Sequence, residues 1–394
     1  MKRIITILSI CLASFASANA QELANFNFGG RMAPVVSPDI QGDSVTFRFR
    51  ADYATVVKLS GSWMPNPYGG TIDMTRGENN VWSVKIALPS PEIYTYNFVV
   101  DGVSVNDPQN ILVQRDGTRF LNMLIVPGER TENYTEARHR GTVSHPWYDS
   151  KVLGINRRLT VYTPYGYEAN PKKKYPVLYL LHGAGGDEEA WISMGRTAQI
   201  LDNLIEKGLA EPMIVVMPNG NANQQAAVTL NIPTAPQPDW RKMQEQFANM
   251  PEAERNRAMN GYVVSLCEEI VPFIEKNFRV IAKPEARAIA GLSMGGGHTI
   301  TASNLYPQLF DYICPLSAAG SATPEQVAAL KKAGVKLYFL ACGNTDFLFE
   351  GSKALDKTLT EQGLDHIFYV SEGGHVWANW RLYLNTFAPM LFKK

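Results

Sequence analysis

The chain has 394 residues, with hydrophobic residues at 45% and charged residues at 19%. That length allows roughly two or three domains, and the composition excludes a disordered or fibrous protein. Lys+Arg and Asp+Glu are each 37, for a formal net charge of +0. Such a chain has no bulk pull on phosphate backbones or anionic membranes, so nucleic acid is a poor candidate partner.

Met1-Lys2-Arg3 is a short basic start, Ile4 to Phe15 is apolar, and Ala18-Asn19-Ala20 fits a small-x-small cleavage pattern. Residues 1–20 read as a secretory signal peptide, with the mature chain starting near Gln21. The apolar run is shorter than the roughly 20 residues of a spanning helix. The residue before Cys11 is not the small one of a lipoprotein signal. The expectation is a secreted or periplasmic protein with no membrane span. Cys267, Cys314 and Cys342 remain, widely spaced in apolar runs. That spacing argues against a disulfide framework and a C-x-x-C zinc site, and buried thiols are the default.

Residues 21–127 carry short alternating strands. Val45, Phe47 and Phe49 form one apolar face, and Trp82, Val84, Ile86 and Leu88 a second. Tyr94, Tyr96, Phe98 and Val100 form a third, ended by the turn pair Asp101-Gly102. Period-2 runs broken by Pro/Gly/Asn clusters predict an Ig-like β-sandwich. Residues 128–150 are polar and aperiodic and read as a linker. Residues 151–394 alternate apolar strands with amphipathic helices. The strands are Val177–Leu181, Ile214–Met217, Ala286–Ala290, Tyr312–Leu316, Leu337–Ala341 and Ile367–Val370; the helices include Thr197–Lys207 and Val263–Lys276. Strands without polar alternation, separated by helices, predict an α/β unit with a parallel sheet covered on both faces. A polar stretch from Asn221 to Asn260, with Pro233, Pro236, Pro238 and Trp240, interrupts this pattern and reads as a lid or part of a groove.

The chemistry lies in this second unit. Gly291-Leu292-Ser293-Met294-Gly295 follows a strand and opens a small-residue stretch. G-x-S-x-G at a strand-to-helix turn is the nucleophile elbow of the α/β-hydrolase fold. A serine hydroxyl needs a base. His375, in Gly373-Gly374-His375 just past the last strand, stands where this fold delivers it. His139, His145, His182, His298 and His366 are the rivals, His182 being placed to hydrogen-bond backbone. Asp346, after the strand Leu337–Ala341, is the leading residue to orient the base, ahead of Glu350, Asp365 and Glu372. The order Ser293, Asp346, His375 is the α/β-hydrolase order. The oxyanion donors expected are the amides of Met294 and of Ala184, in Gly183-Ala184-Gly185-Gly186, with Gly183 the alternative to Ala184. Trp377 and Trp191 are candidates to line an acyl pocket. This chemistry requires no metal or organic cofactor, and the His and Cys spacing offers no metal cluster.

Together, Leu180-Leu181-His182-Gly183-Ala184-Gly185-Gly186, Gly291-Leu292-Ser293-Met294-Gly295, Cys342-Gly343-Asn344-Thr345-Asp346 and Gly373-Gly374-His375 resemble the esterase-D-type α/β-hydrolases. Within these the chain resembles carbohydrate esterase family one, which holds feruloyl and acetyl xylan esterases. The front unit, with Leu59-Ser60-Gly61-Ser62-Trp63 and Tyr94-Thr95-Tyr96-Asn97-Phe98, is similar to the early-set module related to carbohydrate-binding family forty-eight. The resemblance implies a serine esterase acting on feruloylated or acetylated xylan or xylo-oligosaccharide. A siderophore (enterochelin-type) esterase or an inactive carbohydrate-binding protein are the alternatives. Trp63 is the candidate sugar-stacking residue of the front unit, and core packing is its alternative role. The front unit is expected to be separable, so that its removal leaves small-ester cleavage little changed.

Overall fold

The computed structural model describes residues 35–65, 70–117, 119–221, 251 and 259–393. The expected signal peptide lies outside the described residues, as does most of the 221–260 stretch.

The front unit contains β1 (Asp39–Gln41), β2 (Ser44–Arg50), β3 (Val57–Gly61), β4 (Ile72–Asp73), β5 (Thr75–Arg76), β6 (Val81–Ala87), β7 (Ile93–Val100), β8 (Val103–Val105), β9 (Val113–Asp116) and β10 (Arg119–Ile125). They form two antiparallel sheets, ordered β1-β2-β6-β5 and β4-β3-β7-β10-β9, with β8 paired to β7. Alternation dictates what meets between the sheets. Val45 and Phe47 from β2 and Trp82 from β6 share one core with Leu59, Tyr96, Phe98 and Leu124 of the other sheet. Trp63 is half-buried on this core, stacked on Phe47 at 5.5 Å and edge-on to Tyr94 at 6.1 Å. Of its two expected roles, the structure places Trp63 in packing.

The second unit contains β11 (Thr142–Ser144), β12 (Trp147–Ser150), β13 (Ile155–Thr163), β14 (Val177–Leu181), β15 (Ile214–Pro218), β16 (Arg287–Leu292), β17 (Tyr312–Leu316), β18 (Leu337–Gly343) and β19 (Ile367–Ser371). Its described helices are α1 (Ala190–Ser193), α2 (Thr197–Glu206), α3 (Gly261–Ser265), α4 (Val271–Asn277), α5 (Met294–Leu305), α6 (Pro324–Ala333), α7 (Phe349–Glu361) and α8 (Trp377–Phe387). A π-helical turn, Leu266–Ile270, joins α3 to α4. The sheet runs β11-β13-β15-β14-β16-β17-β18-β19, with β12 paired to β13. From β15 to β19 every pairing is parallel. Both faces are buried, which is why the strands show no polar alternation. On β16, Ile289 enters one core while Ala288, Ala290 and Leu292 enter the other.

Residues 128–150 are not a free linker, which corrects the sequence reading. β11 and β12 pair antiparallel with β13, and Tyr134 is fully buried. Strands of three and four residues are too short to register as a period.

The two units also share a core. Ile93 of β7, Met123 of β10 and Tyr134 belong to the same buried cluster as Leu180, Leu292 and Trp380. Buried ion pairs cross the junction. Glu92, just before β7, accepts from Arg381 of α8 at 3.0 Å and from Arg130 at 2.7 Å. Arg115 of β9 meets Asp187 at 2.7 Å. These contacts weigh against the expected separability of residues 21–127. Removing them uncovers apolar surface and strands Arg381, whose side chain is only 3% exposed. Deleting one partner of a buried pair costs about 3–5 kcal/mol, because the other charge stays buried without compensation. Glu92→Ala is expected to lose that much in urea unfolding. Glu129→Ala, an exposed control, is expected to change stability by less than about 0.5 kcal/mol.

Candidate active site

Ser293 sits between β16 and α5, and its backbone is unusual. It has φ 54° and ψ −116°, a left-handed-side conformation that side chains disfavour. Close packing explains why the turn is held. A Cβ on Gly291 would collide with the carbonyl of Gly295. A Cβ on Gly295 would lie 2.5 Å from the His182 carbonyl oxygen and 2.6 Å from that of Leu181. A Cβ on Gly296 would meet Ala318 Cβ at 2.6 Å. The glycines let α5 press onto the ends of β14 and β17. Ser293 N–H donates to the Leu316 carbonyl at 2.9 Å, which fixes the elbow from β17.

His375 and Asp346 come together as the sequence predicts. His375 Nδ1 lies 2.9 Å from Asp346 Oδ2 and 3.0 Å from Oδ1. Asp346 has a fully buried carboxylate, and its Oδ1 also accepts the Leu348 N–H at 2.9 Å. A carboxylate on Nδ1 holds the proton there and leaves Nε2 as the acceptor. The backbone around the pair is tied together, since Thr345 N–H donates to the Gly373 carbonyl at 3.1 Å and Asn379 Nδ2 to that of Gly374 at 2.9 Å.

Ser293, Asp346 and His375 follow β16, β18 and β19, three strands of one parallel set, so all three rise at the same edge of the sheet. A contact chain connects them. The His375 ring packs edge-on against Trp380 at 4.9 Å, and Trp380 Nε1 donates to Ser317 Oγ at 3.1 Å. Ser317 is the residue after Leu316, the acceptor for Ser293 N–H.

The other histidines are engaged elsewhere. His182 is buried between two backbone partners. Nδ1 donates to the Gly183 carbonyl at 2.7 Å and Nε2 accepts from Gly220 N–H at 2.7 Å. Burial pushes its pKa down, so the neutral ring staples β14 to the loop after β15. His298 packs on Tyr262 at 4.7 Å, and burial pushes its pKa down to about 4. His366 pairs with Asp356 at 2.9 Å but stands before β19, at the opposite edge. His139 and His145 pair with Glu206 and Glu189. Of the rival acids, Glu350 pairs with Lys353.

Met294 opens α5, so its N–H is one of the free amides of a helix start. Gly183 lies against the nucleophile, where an added Cβ would reach Ser293 Cβ at 3.2 Å. Ala184 follows it and is exposed. Trp377 is half-buried and packs edge-on against Trp191 at 5.3 Å and Trp380 at 5.1 Å. Trp191 is 1% exposed, with its Nε1 donating to the Leu181 carbonyl at 2.9 Å. Its placement as a pocket-lining residue is corrected: it supports Trp377 from below. The sequence reading missed Phe347. Its ring is 76% exposed and rests 4.5 Å from the His375 ring. Its place directly after Asp346 was the available signal. Cys267, Cys314 and Cys342 are free and buried. Among the described residues there is no group of three or more His, Cys, Asp or Glu placed to hold a metal ion, and no helix long and apolar enough to cross a membrane.

Residues 150–332 match the family model described as "Putative esterase". The match begins at the end of β12, runs into α6 and includes the Ser293 elbow. A protein of Xylanibacter ruminicola named endo-1,4-beta-xylanase/feruloyl esterase is 32% identical over 355 residues, covering 88% of this chain and 44% of that protein. The chain therefore spans less than half the length of this relative. An acetyl esterase of Caldicellulosiruptor saccharolyticus is 22% identical over 289 residues, covering 61% of this chain and 95% of that one. Two solved structures share the fold. An enterobactin esterase of Shigella flexneri has a TM-score of 0.59 at 16% identity, over 88% of this chain and 92% of its own. A CE1 ferulic acid esterase of Anaeromyces mucronatus has a TM-score of 0.52 at 22% identity, over 72% and 98%.

The elbow generates a prediction. Gly295→Ala sets a methyl against two backbone carbonyls that cannot rotate away. The expected outcome is loss of about 2 kcal/mol or more in unfolding free energy, or failure to fold. Gly297→Ala, where a Cβ meets nothing within 4 Å, is expected to leave urea unfolding unchanged or slightly stabilised.

Proposed function

We propose that this chain is an exported serine esterase that hydrolyses feruloyl or related hydroxycinnamoyl esters on plant cell-wall xylan. The observation that carries the reading is the strained Ser293 elbow at the same sheet edge as the buried Asp346–His375 pair. Ser293 Oγ attacks the ester carbonyl while His375 Nε2 takes the hydroxyl proton. Asp346 keeps the imidazole oriented and stabilises its cation. The amides of Met294 and Ala184 receive the developing oxyanion. The intermediate collapses, the bond between the acyl carbon and the sugar oxygen breaks, and His375 gives the proton to that leaving oxygen. Water, deprotonated by His375, then attacks the acyl-enzyme; the acid leaves and Ser293 regains its proton.

The xylan substrate rests on the Xylanibacter relative and on the aromatic surroundings of His375. Phe347 lies against the base and Trp377 packs on the Trp380 that borders it, and flat apolar faces suit a hydroxycinnamoyl ring better than an acetyl group. Acetyl xylan is the second substrate reading, supported by the acetyl esterase relative. A siderophore ester is the third, favoured by the enterobactin esterase likeness that extends over 88% of this chain. Export rests on residues 1–20, and the front unit is proposed to be an Ig-like module related to carbohydrate-binding family forty-eight.

Turnover of methyl ferulate, acetylated xylan and an iron-chelating trilactone separates the three, with methyl ferulate expected to be fastest. Ser293→Ala and His375→Ala are each expected to lower kcat by several orders of magnitude without unfolding the protein. Asp346→Asn is expected to cost as much or somewhat less. Trp377→Ala is expected to raise KM for methyl ferulate more than for a short acetyl ester. Equal losses on both substrates would make Trp377 structural, and near wild-type turnover by Asp346→Asn would move the orienting role to another acid.

A further inference from the structure

We propose that the front unit is part of the catalytic scaffold, and that Arg115 of β9 is a positioning residue for the oxyanion loop. The inference rests on the serine-esterase reading above. It assigns the front unit a role in turnover itself, beside any role in binding polysaccharide.

The loop Gly183–Asp187 is held at both ends. At its start, Gly183 packs against Leu292 and Ser293. At its end, Asp187 turns its carboxylate toward the front unit. Arg115 Nη2 lies 2.8 Å from Asp187 Oδ1 and 2.7 Å from Oδ2. Asp187 Oδ1 also accepts the Glu189 N–H at 2.9 Å, and the Asp187 carbonyl accepts the Ala190 N–H at 3.1 Å. One side chain thus sets both the end of the loop and the start of α1. Arg115 is itself fixed. Its Nη1 donates to the Gly117 carbonyl at 2.8 Å, and its backbone N–H donates to Ser193 Oγ on α1 at 2.6 Å. The Arg115 and Asp187 side chains are 17% and 7% exposed.

The next residue is held differently. Glu188 pairs with Arg158 of β13 at 2.9 Å, a contact within the esterase unit. The loop is therefore clamped from two domains, and the Asp187 side faces the front unit. Without Arg115, the Asp187 carboxylate keeps its charge in a site with little water. It relaxes by turning outward to water, which moves the chain three residues from Ala184. A backbone donor displaced by about 1 Å loses much of its hold on an oxyanion while contacts to the rest of the substrate remain.

The second bond across the junction acts on the other half of the site. Glu92 holds Arg381 on α8, and Arg130 Nη2 donates to the Ala378 carbonyl at 3.1 Å. That helix carries Trp380, which packs edge-on against His375, and Trp377, which packs on Trp380. The front unit thus touches both the oxyanion side and the base side.

The test uses the full chain and a small soluble ester, which needs no polysaccharide binding. Arg115→Gln is expected to lower kcat by about 10–100-fold with KM within twofold. Asp187→Asn is expected to do the same, and the double variant to be no worse than either alone, because the two act as one unit. Arg115→Lys is expected to recover part of the loss. Asp187→Asn serves alone if Arg115→Gln does not fold. Folded variants with unchanged kcat would overturn the proposal, as would a rise in KM alone or fully additive losses. A wild-type chain that turns over no ester would instead overturn the serine-esterase reading.

Discussion

The whole site depends on one backbone conformation. Ser293 is kept at positive φ, at a cost on the order of 1–3 kcal/mol, by packing that admits no alternative. Gly291, Gly295 and Gly296 bring α5 within backbone contact of β14 and β17, and any side chain there forces the layers apart. The strained turn sets Ser293 between the end of β16 and the first residue of α5.

The parallel sheet does the rest by geometry. Strands that run the same way end at the same edge, so residues 53 and 82 positions after Ser293 in sequence (Asp346 and His375) return to it. Each arrives with its own support: the Leu348 N–H on the acid, the backbone ties around Gly373 and Gly374, and the Trp380 ring against the imidazole. The tryptophan layer of Trp191, Trp377 and Trp380 links the end of β14 to the His375 ring through edge-on contacts. Trp191 anchors that layer from within the core, Trp377 is half-buried on it, and Phe347 rests on the His375 ring. The front unit closes the structure from outside, sharing a hydrophobic cluster and two ion pairs with the second unit.

Much of this was legible in the sequence, and the reasons are local. The strands Val177–Leu181 and Tyr312–Leu316 match residue for residue, because continuous apolar runs bounded by breakers have few other readings. The elbow was legible because its glycines are fixed by sterics within five residues. Asp346 and His375 were legible because each follows a recognisable strand. What escaped notice depends on contacts distant in sequence. β13, nine residues long, carries Asn156, Arg157 and Arg158, whose polar and charged side chains mask its apolar half. β11 and β12 are strands only because β13 offers them a partner. The buried pairs of Glu92 with Arg381 and Arg115 with Asp187 join residues 289 and 72 positions apart. No periodicity announces such a bond, and so a front unit that read as separable shares buried contacts with the second unit. Phe347 was missed because an exposed aromatic in a loop gains meaning only from its neighbour, His375.

The central claim is that Ser293 alone is activated, by its backbone and by its neighbours. A fluorophosphonate ester tests it directly, because phosphonylation needs an activated hydroxyl and an oxyanion site together. Intact-mass measurement followed by peptide mapping reads the outcome. The account predicts one adduct per folded chain, on the peptide containing Ser293, and none on heat-denatured protein. An adduct on another residue, or equal labelling of folded and denatured chain, would contradict it.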